Sequence, residues 1–305
     1  MMLKDYIEKN SIGTLYENYN LKKLTTFKIG GICHYYIEVS SIFKLTLLIK
    51  FLRKYHYLYF IIGNGSNLLI DDDYLDVVFI SLKKLNKIKK LSSNIYMLDS
   101  GLKPNKLGFQ LIKEGYLDAL PLALIPGTVG GLTYMNASCF KRGMDAIVKS
   151  VICIDKTGNL LFIKDGLFGY RQSIFQDNNL IILKVICCFK EIRNDALYKL
   201  SEYINIKKST QPMLVFTSGS MFMNPKNIKA WELIDQTGLR GFRINDASIS
   251  NLHANFFVNI KNASFKEMLA LIYFVKTKVY YETNVKLDLE VKIITYQSIA
   301  YSNLY

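Results

Sequence analysis

The chain has little of what metal centres and disulfide frameworks are built from. Its five cysteines, Cys33, Cys139, Cys153, Cys187 and Cys188, are odd in number and show neither a C-x-x-C pair nor zinc spacing, which fits reduced structural thiols. The three histidines, His34, His56 and His253, lie far apart and form no H-E-x-x-H pattern, so no metal site is expected. No apolar run reaches the ~18 to 20 residues that cross a bilayer, and even the 180–189 run contains Lys184. Residues 1–10 alternate charge with short apolar pairs and lack the continuous apolar core of a signal peptide. Internal repeats and low-complexity tracts are missing as well. The expectation is a cytoplasmic globular protein.

Acidic residues are also in short supply, 25 against 39 basic ones, for a formal charge of +14. Such a surface attracts nucleic acid, anionic lipid and phosphorylated ligands alike. The lysines are scattered and accompany no recognised nucleic-acid-binding module, so neither nucleic acid nor membrane is the expected partner.

What the chain does have is a large apolar share, 50% of 305 residues, enough for two or three packed units. Apolar spacing predicts a helix over 41–56, followed by strands over 57–62, 68–70 and 77–82. Pro104 and Gly115 bracket a further helix. Strands over 151–154 and 160–163, with Lys156, Thr157, Gly158 and Asn159 between them, read as a hairpin. The pattern turns to longer helices between 190 and 200, which marks a boundary. Ser264 and Glu267 form a capping box for a helix carrying Met268, Leu271, Ile272 and Val275 on one side. Strict alternation over 285–293 predicts a terminal strand with Asp288 and Glu290 on its polar face.

Two glycine loops stand out. Gly63, Asn64, Gly65, Ser66 and Asn67 follow a strand, and the glycines permit a turn whose amides approach a phosphate. The third glycine of G-x-G-x-x-G and the ending of a P-loop are both missing, so the loop by itself fits a plain tight turn as well. Pro126, Gly127, Thr128, Gly130 and Gly131 precede a possible helix start, where amides bind anions. Two unlike glycine loops suit a ligand with a pyrophosphate and a large planar ring, such as a dinucleotide.

These loops, together with Thr25-Thr26-Phe27-Lys28-Ile29-Gly30-Gly31, fall in an order that resembles the UDP-N-acetylenolpyruvoylglucosamine reductases. The likeness continues through Tyr170-Arg171-Gln172-Ser173, Ser218-Gly219-Ser220-Met221-Phe222-Met223-Asn224-Pro225, Gly238-Leu239-Arg240-Gly241, His253 to Asn259 and Leu287 to Val291. It spans about residues 19–294.

The resemblance implies an α+β protein with a flavin domain of the vanillyl-alcohol-oxidase type over 1–195, in two lobes of 1–82 and 83–195. An α+β substrate domain would then occupy 196–305, in the shorter subtype of the family. It further implies non-covalent FAD, NADPH as hydride donor, a UDP-sugar substrate and a monomer. By the same resemblance Arg171, Ser220 and Glu290 are catalytic. FAD would be held by the 63–67 loop, by Pro126, Gly127, Thr128 and Gly130, and by Asn136, while Tyr170, Lys208 and Asn224 would contact substrate. Ser220 is the expected proton donor; a serine beside glycine also commonly caps a turn.

The chain departs from the family pattern at Ser138 and Lys141, where glycines are common, at Asn245-Asp246, and at Leu252. A related flavin oxidoreductase acting on another sugar or alcohol is the alternative, because fold does not fix substrate. A basic nucleic-acid-binding protein that retains only the fold is a more distant one.

Overall fold

The structure, a computed structural model, describes residues 2–304; Met1 and Tyr305, the outermost residues of the expected domains, lie outside it. The first lobe is a four-stranded mixed sheet in the spatial order Gly13–Asn20, Ile32–Val39, Leu75–Ser81, Tyr59–Ile62. Helix Ile42–Lys54 buries Leu45, Leu48, Ile49 and Leu52 against that sheet. Ser41 starts it by accepting a hydrogen bond from the Lys44 amide, so the expected helix over 41–56 is present with its cap.

The second lobe is a five-stranded antiparallel sheet in the order Leu160–Ile163, Val148–Ile154, Ile181–Cys188, Ile95–Asp99, Ile88–Lys90. Its first two strands are the expected hairpin. Asp155 closes their turn by accepting hydrogen bonds from the Thr157 and Asn159 amides. Helix Asn105–Lys113 packs beneath through Leu107, Leu111 and Ile112, and Pro104 stands at its N-cap rather than inside its first turn.

The third unit is a four-stranded antiparallel sheet in the order Phe216–Ser220, Phe256–Asn259, Ala247–Ile249, Arg243–Ile244, covered by helix Phe265–Thr283. That helix begins with the expected capping box at Ser264 and Glu267 and buries Met268, Leu271, Ile272 and Val275. Among the described residues no helix is long and apolar enough to cross a membrane.

One expectation needs correction. The alternating 285–293 segment forms a strand only at Lys292–Ile294, where it finds a partner in Leu68–Ile70. Leu289 makes a single bridge to Phe222 there. Packing runs across residue 195 in both directions. Ala196 and Leu200 of helix Ala196–Thr210 pack into the second lobe, and strand Lys292–Ile294 pairs in parallel with Leu68–Ile70 of the first. Phe27, Ile29 and Leu69 enter the core of the third unit in exchange. Apolar surface that each piece cannot bury on its own is buried against a neighbour remote in sequence.

Candidate functional site

The two glycine loops meet. The Ser66 hydroxyl donates to the Pro126 carbonyl at 2.8 Å, and a Cβ on Gly63 would lie 2.9 Å from Thr128 Oγ1. Gly65 is left-handed at φ +63°, and a Cβ there would lie 2.1 Å from the Leu24 carbonyl oxygen. The chain's own backbone thus already demands glycine at 65. Among the described residues the amides of Asn64, Gly65 and Ser66 are in no hydrogen bond, which leaves a concave run of donors.

The second loop behaves differently from expectation. Helix Val129–Tyr134 starts earlier than the sequence suggests, with Thr128 as its N-cap. Its first amides are spent internally: Val129 donates to Leu102 O, Gly130 to Ser100 O, and Gly131 to Thr128 Oγ1. The short helix is tied to the 100–102 turn, so the amides of Val129, Gly130 and Gly131 are not spare for an anion. Close packing explains Gly130, whose Cβ would meet Ser100 Cβ at 2.9 Å.

Ser220 ends its strand just after a bulge. Thr217 pairs with Val258 and Ser220 with Phe256, so three steps on one strand match two on the other. Gly219, at φ +84° with open space around its Cα, takes up the extra residue. The bulge re-aims Ser220 out of the strand alternation, and its hydroxyl is in no hydrogen bond among the described residues, so it caps neither helix nor turn. Asn255 fixes the following residues: its side chain accepts from Phe222 N at 2.9 Å and donates to Phe222 O at 2.8 Å, while Met221 N donates to Asn255 O.

Glu290 is delivered to the same place by backbone. Its amide donates to Met221 O at 2.9 Å, and the Asn67 side chain donates to Glu290 O at 3.0 Å. One hydrogen-bonded path therefore joins the 63–67 loop, Glu290 and the segment after Ser220. Thr26 adds a second path, donating from its amide to Gly65 O and from its hydroxyl to Thr217 O.

Arg171 arrives from the second lobe at the tip of the hairpin Phe168–Gly169 and Gln172–Ser173. Its backbone is left-handed at φ +55°, a conformation costing a side-chain residue about 1 kcal/mol or more, of a kind that collects at functional sites. Arg171 Nε lies 2.9 Å from Glu290 Oε1, with both side chains less than one-fifth exposed. The Nε–H is not directed along that line, so charge rather than an aligned hydrogen bond holds the pair. Nη1 donates to Ser138 Oγ at 2.9 Å, and the guanidinium lies over the Tyr170 ring. Burial pushes the Glu290 carboxyl above its usual range, with Arg171 opposing to a lesser degree.

The remaining expected residues divide. Asn136, expected at the cofactor, spends its side chain internally: it donates to Gly169 O at the base of the Arg171 hairpin and accepts from Asp145 N. Asn224 is exposed, and its Oδ1 accepts from Ala230 N at the start of helix Ala230–Gln236. Tyr170 is exposed beside Arg171. Lys208 projects into solvent from the last turn of helix Ala196–Thr210, whereas Lys207 turns inward to Leu124 O at 2.7 Å. His253 is structural, accepting from Asn255 N, and burial lowers its pKa. Sequence reading gave no site role to Ser138, Thr26 or Asn255. Of these, Ser138 carried a signal, as a polar residue where the pattern has glycine.

Comparison with known proteins adds to this geometry. The family model for the UDP-N-acetylenolpyruvoylglucosamine reductase C-terminal domain matches residues 211–294, and an FAD binding domain model matches 34–164. The UDP-N-acetylenolpyruvoylglucosamine reductase of Rickettsia prowazekii is 36% identical over 292 residues, covering 92% of this chain and 96% of the relative. That of Carboxydothermus hydrogenoformans is 32% identical, covering 96% and 98%. The crystal structure of the Thermus caldophilus reductase superposes with a TM-score of 0.75 at 28% identity, over 92% of this chain and 98% of that one.

Proposed function

The chain belongs to the UDP-N-acetylenolpyruvoylglucosamine reductase family, and from that premise we propose that it reduces UDP-N-acetylglucosamine enolpyruvate to UDP-N-acetylmuramate with FAD and NADPH. The reaction is a step in making the peptidoglycan precursor. The observation that carries this reading is the Arg171–Glu290 pair, tied through the Glu290 amide to Met221, next to Ser220, and through Asn67 to the glycine loops.

The residues present fit a bound FAD. The free amides of the 64–66 turn suit a pyrophosphate, and the missing side chain at Gly63 keeps the space beside Thr128 open. Two buried hydroxyls without partners border the region, Ser100 against Gly130 and Ser218 two residues before Ser220. Bound FAD would accept hydride from NADPH and supply it to the methylene carbon of the enolpyruvyl group.

The protein's own task is to manage charge and a proton on the substrate. Adding hydride to the methylene carbon leaves negative charge on the neighbouring carbon and its carboxylate. Arg171 meets that charge with a permanent, forked cation. Glu290, whose carboxyl is pushed above its usual range by burial, donates a hydrogen bond to the enol oxygen in its protonated form. The Ser220 hydroxyl, free of other partners, gives its proton to the carbon bearing the carboxylate. Tyr170 lines the entrance. Lys208, the lysine of its pair that is not drawn inward, binds the nucleotide phosphates, and Asn224 makes another substrate contact. NADPH and a UDP-sugar are soluble metabolites, so the reaction runs in the cytoplasm, and the chain acts as a monomer.

The test is to add UDP-N-acetylglucosamine enolpyruvate to the purified, FAD-loaded protein and follow NADPH oxidation. Oxidation that depends on this substrate supports the reading. No NADPH oxidation with this substrate, together with reduction of the bound flavin by another sugar or an alcohol, overturns it.

A further inference from the structure

Arg171 sits on a strained two-residue hairpin tip, and a long side chain on such a tip has several rotamers open to it. Something must select the one that faces Glu290. Glu290 alone does not, because Nε–H is not aligned with its carboxylate oxygen. The aligned contact is at the other end of the guanidinium, where Nη1 donates to Ser138 Oγ at 2.9 Å.

Ser138 is itself firmly placed. It pairs with Gly143 in the hairpin Ser138–Cys139 and Arg142–Gly143. Just before it, Ala137 N donates to Leu132 O at 2.9 Å. Asn136 ties that same stretch to Gly169, next to the Arg171 tip, and Phe140 at the far end of the hairpin stacks on Tyr203 with ring centroids 4.1 Å apart. The 138–143 hairpin is thus anchored on three sides, and its one hydroxyl facing the site is spent on Arg171. Nη2 is left in no hydrogen bond among the described residues.

We propose that Ser138 is a positioning residue: by accepting from Nη1 it holds the Arg171 guanidinium with Nε toward Glu290 and Nη2 toward the substrate carboxylate. The proposal rests on the role given to Arg171 above. A glycine at 138 would supply no such oxygen. A hydrogen bond to a charged group is among the stronger neutral-donor or acceptor contacts, so its loss is expected to matter.

The test compares Ser138→Ala and Ser138→Thr in the FAD-loaded protein by rapid mixing. In Ser138→Ala, reoxidation of the reduced protein by saturating enolpyruvyl substrate slows about tenfold, the factor equivalent to about 1.4 kcal/mol. FAD affinity, thermal midpoint and reduction by NADPH stay at wild-type values, and Ser138→Thr, which keeps the hydroxyl, restores reoxidation to within about twofold. A second readout needs no turnover. Arg171 is the charged group that offsets the burial of Glu290, so a guanidinium free to swing away lets the Glu290 carboxyl titrate higher in Ser138→Ala, read by carbon NMR of labelled glutamate in the flavin-free protein. Wild-type reoxidation in Ser138→Ala, or equal slowing of both half-reactions with lost FAD affinity, overturns the proposal. Failure of the underlying reading looks different: Arg171→Ala itself would then be reoxidised normally.

Discussion

Arg171 Nε lies 2.9 Å from Glu290 Oε1, joining the second lobe to the last extended segment across the site. Burial raises the Glu290 pKa more than Arg171 lowers it, so the folded protein holds this proton more tightly than the unfolded chain does. The stability it contributes is fully present below the ordinary glutamate value of 4.5 and is lost as pH rises through the raised value. The same titration removes the hydrogen-bond donor from the site. Reoxidation by substrate is therefore expected to fall as pH rises through that value, and Glu290→Gln, which donates at every pH, is expected to flatten that limb. Pre-steady-state pH profiles of the two proteins decide it, and an unchanged limb in the glutamine variant would remove Glu290 from the proton inventory.

Ser220→Ala is expected to keep its fold, FAD content and reduction by NADPH, because the hydroxyl has no hydrogen bond to lose among the described residues. Reoxidation by the enolpyruvyl substrate should slow roughly 10²-fold or more. Stopped-flow separation of the half-reactions measures this, and normal reoxidation would exclude Ser220 as donor.

For Gly65→Val the expected failure is of folding before flavin binding. The φ of +63° costs a β-branched residue about 1–3 kcal/mol, and a Cβ 2.1 Å from Leu24 O must displace backbone. Urea midpoints of the flavin-free proteins should drop for Gly65→Val and change much less for Ser66→Ala, whose hydroxyl loses only the Pro126 contact. Equal midpoints for Gly65→Val and the parent would show that the loop yields more easily than its packing suggests.

The purified protein is expected to be yellow and to release its flavin on acid denaturation, the binding being non-covalent. A protein that stays colourless after incubation with FAD would contradict the fit of the 64–66 amides to a pyrophosphate.

Asn255→Leu should destabilise the protein by about 2–4 kcal/mol, since two buried backbone groups of Phe222 lose their partner. Urea unfolding of the flavin-free protein reads this directly.

Some of this was settled by residues close together in the chain. The capping box at Ser264 and Glu267, the apolar side of helix Phe265–Thr283, the hairpin turn at Asp155 and the cap at Ser41 all depend on contacts within a few positions, which a sequence displays. The specific motifs also pointed to the family. Other features depended on distant partners. Glu290 occupies the polar side of an alternating segment, which by local pattern faces water; it is buried because Arg171 and Asn67 come from other parts of the fold. Gly130 and Gly131 look like phosphate donors, yet their amides are consumed at Ser100 and Thr128. Between Lys207 and Lys208 nothing local chooses; the Leu124 carbonyl draws one inward. Periodicity and capping are set by neighbours along the chain, whereas the burial of a charge and the spending of a donor are set by whatever the tertiary fold brings against it.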